Sequence, residues 1–210
     1  GQFSSTASIV VGTDDPTTES TNRLALSETV YDETGRVLKT IRHKVDTADG
    51  SDDDTLETLY WYDGEGRTIK VDGEQLTKMV YDRLGRETHA YVVADPETEA
   101  TYLDCATVVG DIVWEEYQTV YESDNSDNVV MRTTIQRFHD DRDFGETTGA
   151  LDTQADDDLL KVTASNIEGR IQITAMWYDD LDRIEDVVNY GTYGGSDFDR
   201  DGLSVPTRSD

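Results

Sequence analysis

The sequence has few of the residues that constrain a chain covalently or conformationally. One of its 210 residues is cysteine, Cys105, so no internal disulfide can form. A single thiol leaves the redox compartment open, because a large β-array has enough core to do without staples. Proline occurs three times, at Pro16, Pro96 and Pro206, each in a stretch that reads as loop. Basic residues are also scarce: 18 Lys and Arg face 46 Asp and Glu, for a net charge of −28. Phosphate recognition needs a positive face and no basic cluster exists, so nucleic acid is excluded as a partner. Anionic membrane surfaces are disfavoured for the same reason. No apolar run approaches the roughly 20 residues that cross a bilayer, so membrane insertion is not expected. The chain opens Gly-Gln-Phe without a leader-like segment, as expected of a piece of a longer parent.

What is present points to sheet. Eleven Tyr and three Trp suit half-buried strand faces, where an apolar ring and a polar tip can both be satisfied. The acid falls in bursts at Asp14-Asp15, Asp52-Asp53-Asp54, Asp140-Asp141 with Asp143, and Asp156-Asp157-Asp158. Such bursts read as solvated loops kept soluble by charge, with divalent-cation binding as the sharper alternative.

An internal repeat organises the chain. Tyr31-Asp32-Glu33-Thr34-Gly35-Arg36 recurs as Tyr62-Asp63-Gly64-Glu65-Gly66-Arg67 and as Tyr81-Asp82-Arg83-Leu84-Gly85-Arg86. A decayed copy reads Tyr178-Asp179-Asp180-Leu181-Asp182-Arg183, and Asn166-Ile167-Glu168-Gly169-Arg170 keeps only the second half. The pattern Y-D-x-x-G-R has the chemistry of a hairpin turn. Tyr closes an incoming strand, and the Asp carboxylate accepts backbone N–H groups two residues on. Two variable residues fill a type I turn, and Gly supplies the positive φ of a G1 bulge. Arg opens the outgoing strand, where its guanidinium can lie against the Tyr ring. Asp182 stands where the other copies have Gly, which predicts a strained or reshaped turn.

The flanks alternate as strands do: Leu24, Leu26 and Val30 before the first turn; Val37, Ile41 and Val45 after it. No stretch shows a capped 3.6-residue apolar period. The expected fold is all-β, with antiparallel β-hairpin repeats forming a curled, extended sheet. Motif tyrosines lie 31, 19 and 97 residues apart (Tyr31, Tyr62, Tyr81, Tyr178), so insertions interrupt the array, and Tyr121 reads as a relic in the widest gap. The reading is one segment over 1–210, incomplete at both ends, with its clearest repeats at 22–45, 55–72, 76–94 and 159–190. Insertion loops are expected at about 46–54, 94–104, 123–128, 140–158 and 191–210.

At these motifs the sequence resembles the YD-repeat, or RHS-repeat, family, whose members include bacterial RHS toxins, insecticidal toxin complexes, wall-associated proteins and animal teneurins. The resemblance covers about residues 22–190. It implies a non-catalytic scaffold segment of a large secreted or cell-surface protein, forming part of a shell wall that encloses a C-terminal effector; the alternative is an extracellular binding module for carbohydrate or a surface partner, assisted by calcium. The implied partners are neighbouring YD repeats of the same parent, an encapsulated effector, or a surface glycan or protein. The family's D-P-x-G-x-x-D-G-type core signature, linked in some members to self-cleavage, is absent, so no protease activity carries over.

Outside the repeat, Asp197-Phe198-Asp199-Arg200-Asp201-Gly202 has the D-x-D-x-D-G start of a calcium loop, with Val205 and Asp210 in the later slots. Asp197, Asp199 and Asp201 are therefore the candidate metal ligands, and an acidic solvated loop is the alternative. No other cofactor is expected. Trp61 and Trp177 occupy the position before the motif tyrosine, where Val30 and Val80 stand elsewhere, so they read as sheet packing rather than as a sugar platform. Trp114 has no such registration. His43, His89 and His139 share no nucleophile or metal motif, and no catalytic residue is expected.

Overall fold

The computed structural model describes residues 2–6, 24–46, 48–95, 105–123, 126–138, 148–153, 160–193 and 196–203. The strands are β1 (Gln2–Thr6), β2 (Leu26–Tyr31), β3 (Val37–Val45), β4 (Asp52–Tyr62), β5 (Thr68–Asp72), β6 (Leu76–Tyr81) and β7 (Glu87–Asp95). They continue with β8 (Ile112–Tyr121), β9 (Val129–Arg137), β10 (Lys161–Val162), β11 (Gly169–Tyr178), β12 (Ile184–Tyr193) and β13 (Phe198–Asp199). Among the described residues, helical structure is confined to Cys105 and the single turn Ala164–Asn166. The protein is all-β and antiparallel.

The chain divides into two compact units, 1–76 and 77–210. In the first, strands run in the order β1-β2-β3-β4-β5. In the second, the order is β6-β7-β8-β9-β11-β12, and β10 pairs with β13 as a separate two-stranded ribbon. Sequential antiparallel neighbours are what short hairpin connections dictate.

Four of the register shifts fall at one recurring place. Register slips between Val30 and Tyr31, between Trp61 and Tyr62, between Val120 and Tyr121, and between Trp177 and Tyr178. Each slip sits where the incoming strand meets its turn. An extra residue there bends the strand and re-aims the tyrosine.

The core of the second unit lies on one sheet face. Cross-strand pairing puts Tyr91, Glu116, Ile135 and Ile171 in one row, and His89, Gln118, Thr133 and Ile173 in the next. Ile135 and Ile173 are fully buried. Also buried are Cys105, Val108 and Leu151, outside the strands, and Val162 and Phe198, which pair with each other in the β10–β13 ribbon. The expected loops at 140–158 and 191–210 thus include core residues in their described parts. Their acid concealed single apolar anchors. Residues 96–104, 139–147, 154–159 and 204–210 lie outside the described residues, and with them His139, Asp140, Asp141, Asp143, Asp156, Asp157, Asp158, Val205 and Asp210.

Gly169 corrects one sequence expectation. It is the first residue of β11, paired with Arg137, rather than the glycine of a fifth turn. A Cβ there would lie 2.4 Å from the Gln136 carbonyl oxygen, so Gly is required by close strand approach. The hairpin that fills the gap is instead β8–β9, which turns at Tyr121.

Candidate functional site

The recurring chemistry sits in the turns. In the first, the Asp32 N–H donates to the Arg36 carbonyl at 2.8 Å and the Gly35 N–H to the Asp32 carbonyl at 3.0 Å. Asp63/Gly66/Arg67 and Asp82/Gly85/Arg86 repeat both bonds. Gly35, Gly66 and Gly85 have φ of 87°, 87° and 85°, the left-handed region that the bulged turn needs. Each motif aspartate organises its turn. Asp32 Oδ1 accepts the Thr34 and Arg36 N–H groups, both at 2.9 Å, and Oδ2 accepts Arg36 Nε at 2.7 Å. Asp63 and Asp82 do the same with Glu65/Arg67 and Leu84/Arg86.

The Asp182 turn keeps this pattern in full. Asp179 accepts the Leu181 and Arg183 N–H groups and both Nε and Nη2 of Arg183. Asp182 adopts φ 57°, the one positive value at a non-glycine among the described residues. The turn is strained, as a Cβ in that region requires, but it is not reshaped. Four bonds to Asp179 hold the conformation against its cost.

The aspartate acidities follow from these bonds. The Thr34 hydroxyl, with the Arg36 and Thr34 backbone groups and the Arg36 guanidinium, holds Asp32 far below the usual carboxylate range. For Asp63 and Asp82, burial pushes upward, but the N–H and guanidinium bonds outweigh it and both are lowered. Asp179 is lowered chiefly by the Arg183 side chain.

The turns are also tied to one another. Tyr62 donates its hydroxyl to the Val37 carbonyl at 2.7 Å, Tyr121 to the Glu87 carbonyl at 3.1 Å, and Tyr178 to the Val129 carbonyl at 3.0 Å. Val37, Glu87 and Val129 each open the outgoing strand of the preceding hairpin. The guanidinium of Arg36 lies 4.8 Å from the centre of the Tyr62 ring, and that of Arg86 lies 4.3 Å from the centre of Tyr121. The ring expected to meet each arginine was that of its own turn. Instead Arg36 and Arg86 meet the tyrosine of the following hairpin, because the bulge directs that ring back across the sheet. The motif is therefore half turn and half lock.

The Tyr121 turn shows what the lock tolerates. Glu122 takes the aspartate's place, its N–H donating to the Asn128 carbonyl at 2.9 Å, and Asn128 Nδ2 donates to the Glu122 carboxylate at 3.0 Å. Asn128 Nδ2 also reaches Asp182 Oδ1 at 2.9 Å, linking this turn to the next. No Y-D-x-x-G-R survives here. The signal available in the sequence was an isolated tyrosine ending a β-patterned run.

Three polar clusters lay beyond the reach of sequence reading. His43 Nδ1 lies 2.8 Å from Asp52 and Nε2 lies 3.0 Å from Glu28, so the ring bridges β2, β3 and β4. Lys78 and Asp111, both almost wholly buried, pair at 2.6 Å, and Lys78 also donates to the Thr107 carbonyl. Glu116, 1% exposed, accepts the Leu151 N–H at 2.6 Å, the Asp152 N–H at 3.1 Å and Gln118 Nε2 at 2.9 Å. Burial pushes the Glu116 carboxyl up, against the bonds that favour its charge. His89, stacked on Tyr91, is lowered by burial, with Asp152 opposing.

The remaining candidates sit in ordinary surroundings. Asp197 Oδ1 accepts the Ala164 N–H, and Asp199 Oδ1 accepts the Asp201 and Gly202 N–H groups. Among the described residues no three His, Cys, Asp or Glu side chains gather where a metal ion could sit. Trp177 is buried beneath the Arg200 guanidinium, and Lys70 lies over Trp61. Trp114 is half-exposed, and Cys105 is buried.

Fold and turns together define an antiparallel β-hairpin repeat protein with locked turns. No protein-family model matches the chain, and no curated protein matches it. Similar solved structures include the crystal structure of TcdB2-TccC3-Cdc42, at 14% identity and a TM-score of 0.34 over 80% of this chain. The crystal structure of TcdB2-TccC3 is similar at 14% identity and a TM-score of 0.33 over 79% of it. In each case the match spans 8% of the other, much longer chain.

Proposed function

We infer that the chain is a non-catalytic scaffold segment of a YD/RHS-type hairpin array, belonging to a large secreted or cell-surface protein. In that setting it contributes wall to a shell around a C-terminal effector. The observation that carries this reading is the turn lock. Its tyrosine donor and carbonyl acceptor recur at three equivalent positions and its stacking arginine at two of them, and each lock spans two hairpins rather than serving one. A scaffold needs such hairpin-to-hairpin connections. A binding or catalytic site would need one unrepeated cluster.

The test is removal of single hydroxyls. Tyr62→Phe, Tyr121→Phe and Tyr178→Phe keep the ring and delete the bond, so each is expected to lower stability by about 1 kcal/mol. Hydrogen exchange should speed up in both hairpins that the lost lock joined. Three variants that melt and exchange like the parent would remove the basis for the scaffold reading.

A further inference from the structure

His43 is held in a way that only one state of its ring satisfies. It stands on β3, with Leu26 of β2 and Thr55 of β4 as its cross-strand neighbours. Its Nδ1 lies 2.8 Å from Asp52 Oδ2 and its Nε2 lies 3.0 Å from Glu28 Oε1. A carboxylate accepts and does not donate, so each contact needs a proton on the ring nitrogen. A neutral imidazole carries one N–H and one lone pair, and only the imidazolium donates at both ends. The His43 side chain is 10% exposed, so little water reaches the ring. The other charged groups around it are engaged elsewhere. Glu57 of β4, opposite Ile41, meets Lys39 at 2.7 Å. Asp46 and Asp49, in the loop that joins β3 to β4, accept backbone N–H groups of that loop. Arg42, Lys44 and Asp54 alternate to the opposite face. The β1 strand, which pairs with β2, has no charged residue.

We propose that His43 is a proton-operated clasp between β2, β3 and β4. Protonated, it joins Glu28 to Asp52 across the central strand, one cation shared by two carboxylates. When the ring gives up a proton, one nitrogen turns a lone pair toward a carboxylate oxygen, and that attraction becomes a repulsion. The closed clasp holds a proton that separated strands release. It is therefore made in acid and lost as pH rises through the range in which histidine changes charge, about 5 to 8. The motif aspartates act in the opposite sense and at lower pH, so the two effects separate. The clasp does not depend on the scaffold reading.

Hydrogen exchange of the full chain tests this at about pH 5.5 and about pH 8, read at the amides of 26–31, 37–45 and 52–62. The reference is His43→Gln, which keeps one side-chain donor at every pH. Comparing the two proteins at equal pH removes the intrinsic pH dependence of exchange. At the lower pH the parent should exchange roughly fivefold more slowly than His43→Gln, the effect of one partly screened bond to a charged group. At the higher pH the two should exchange alike, since each then donates once. Glu28→Gln and Asp52→Asn keep an oxygen acceptor but remove its charge, and each should shrink the contrast between the two pH values. Nitrogen-edited spectra at the lower pH should show both ring N–H protons of His43, slowed in their exchange with water. The proposal is overturned if the ratio of parent to His43→Gln is the same at both pH values, or if neither ring proton is protected. It is also overturned if both carboxylate variants keep the full contrast. Should His43→Gln fail to fold, the carboxylate variants and the ring spectra still decide.

Discussion

Two glycines two residues apart in one turn separate conformational need from mere tolerance. Gly66 sits at φ 87°, whereas Gly64 lies outside the left-handed region, and nothing lies within 4 Å of a Cβ built on either. With sterics removed, only backbone preference distinguishes them. Gly66→Ala should cost about 1–2 kcal/mol, and Gly64→Ala should be neutral or stabilise by about 0.5 kcal/mol through the unfolded chain. Thermal melts of the two variants decide it, and equal shifts would refute the turn assignment. The motif aspartates give a pH prediction. Asp32, Asp63, Asp82 and Asp179 are all lowered on folding, so the unfolded state binds their protons first. Their stabilisation is complete above the ordinary value of 3.8 and is lost as pH falls below it. Glu116, raised by burial, acts in the opposite sense, its penalty easing as acid is added. Asp63→Asn should therefore flatten the acid limb of a melting-temperature profile relative to the parent. A parallel limb would mean that Asp63 is not held ionised by its turn.

Between strands, the segment at 148–153 is fastened by a carboxylate. Glu116 accepts two of its N–H groups and stands on the core face of β8. Glu116→Leu removes a buried charge but leaves those two N–H groups without their acceptor, at about 1–3 kcal/mol each. Hydrogen exchange at Leu151 and Asp152 should accelerate far more than at Ile135, and uniform exchange would show that apolar packing of Leu151 alone holds the segment. This fastening was invisible in the sequence, where Glu116 is one of 46 acids and the groups it fastens are backbone N–H groups 35 and 36 residues away. The turns were legible for the opposite reason. Asp, Gly and Arg act within five residues, so local chemistry fixes both their identity and their spacing. The lock was half legible: tyrosine and arginine stand in the motif, but the carbonyl acceptors at Val37, Glu87 and Val129 have no side-chain identity to read. Gly169 was misread because a glycine needed for close strand approach and one needed for positive φ look alike in a sequence. The β8–β9 turn was marked in the sequence only by Tyr121 at the end of a β-patterned run, since Glu122 and Asn128 rebuilt it from different side chains.

For the protein as a whole, charge is the largest uncompensated quantity. At −28, mutual repulsion of carboxylates weakens any compact state, and salt should restore stability by screening it. The Debye length falls from about 30 Å at 0.01 M to about 10 Å at 0.1 M, so most of the gain should come within that range. The same titration examines the Asp197-Phe198-Asp199-Arg200-Asp201-Gly202 segment. General screening depends on ionic strength and valence, so calcium and magnesium chloride at equal concentration should raise the melting temperature equally. A specific site would favour calcium, whose larger radius suits flexible carboxylate loops that magnesium leaves. Asp197 and Asp199 already spend carboxylate oxygens on backbone N–H groups, and no three acidic or His/Cys side chains gather among the described residues. Equal shifts are therefore expected. A calcium shift exceeding that of magnesium, and abolished by Asp199→Asn, would overturn this and assign a true calcium loop completed within 204–210. Its absence would leave the Asp197–Gly202 segment as a solvated acidic loop, adding to the charge that keeps copies of the chain apart.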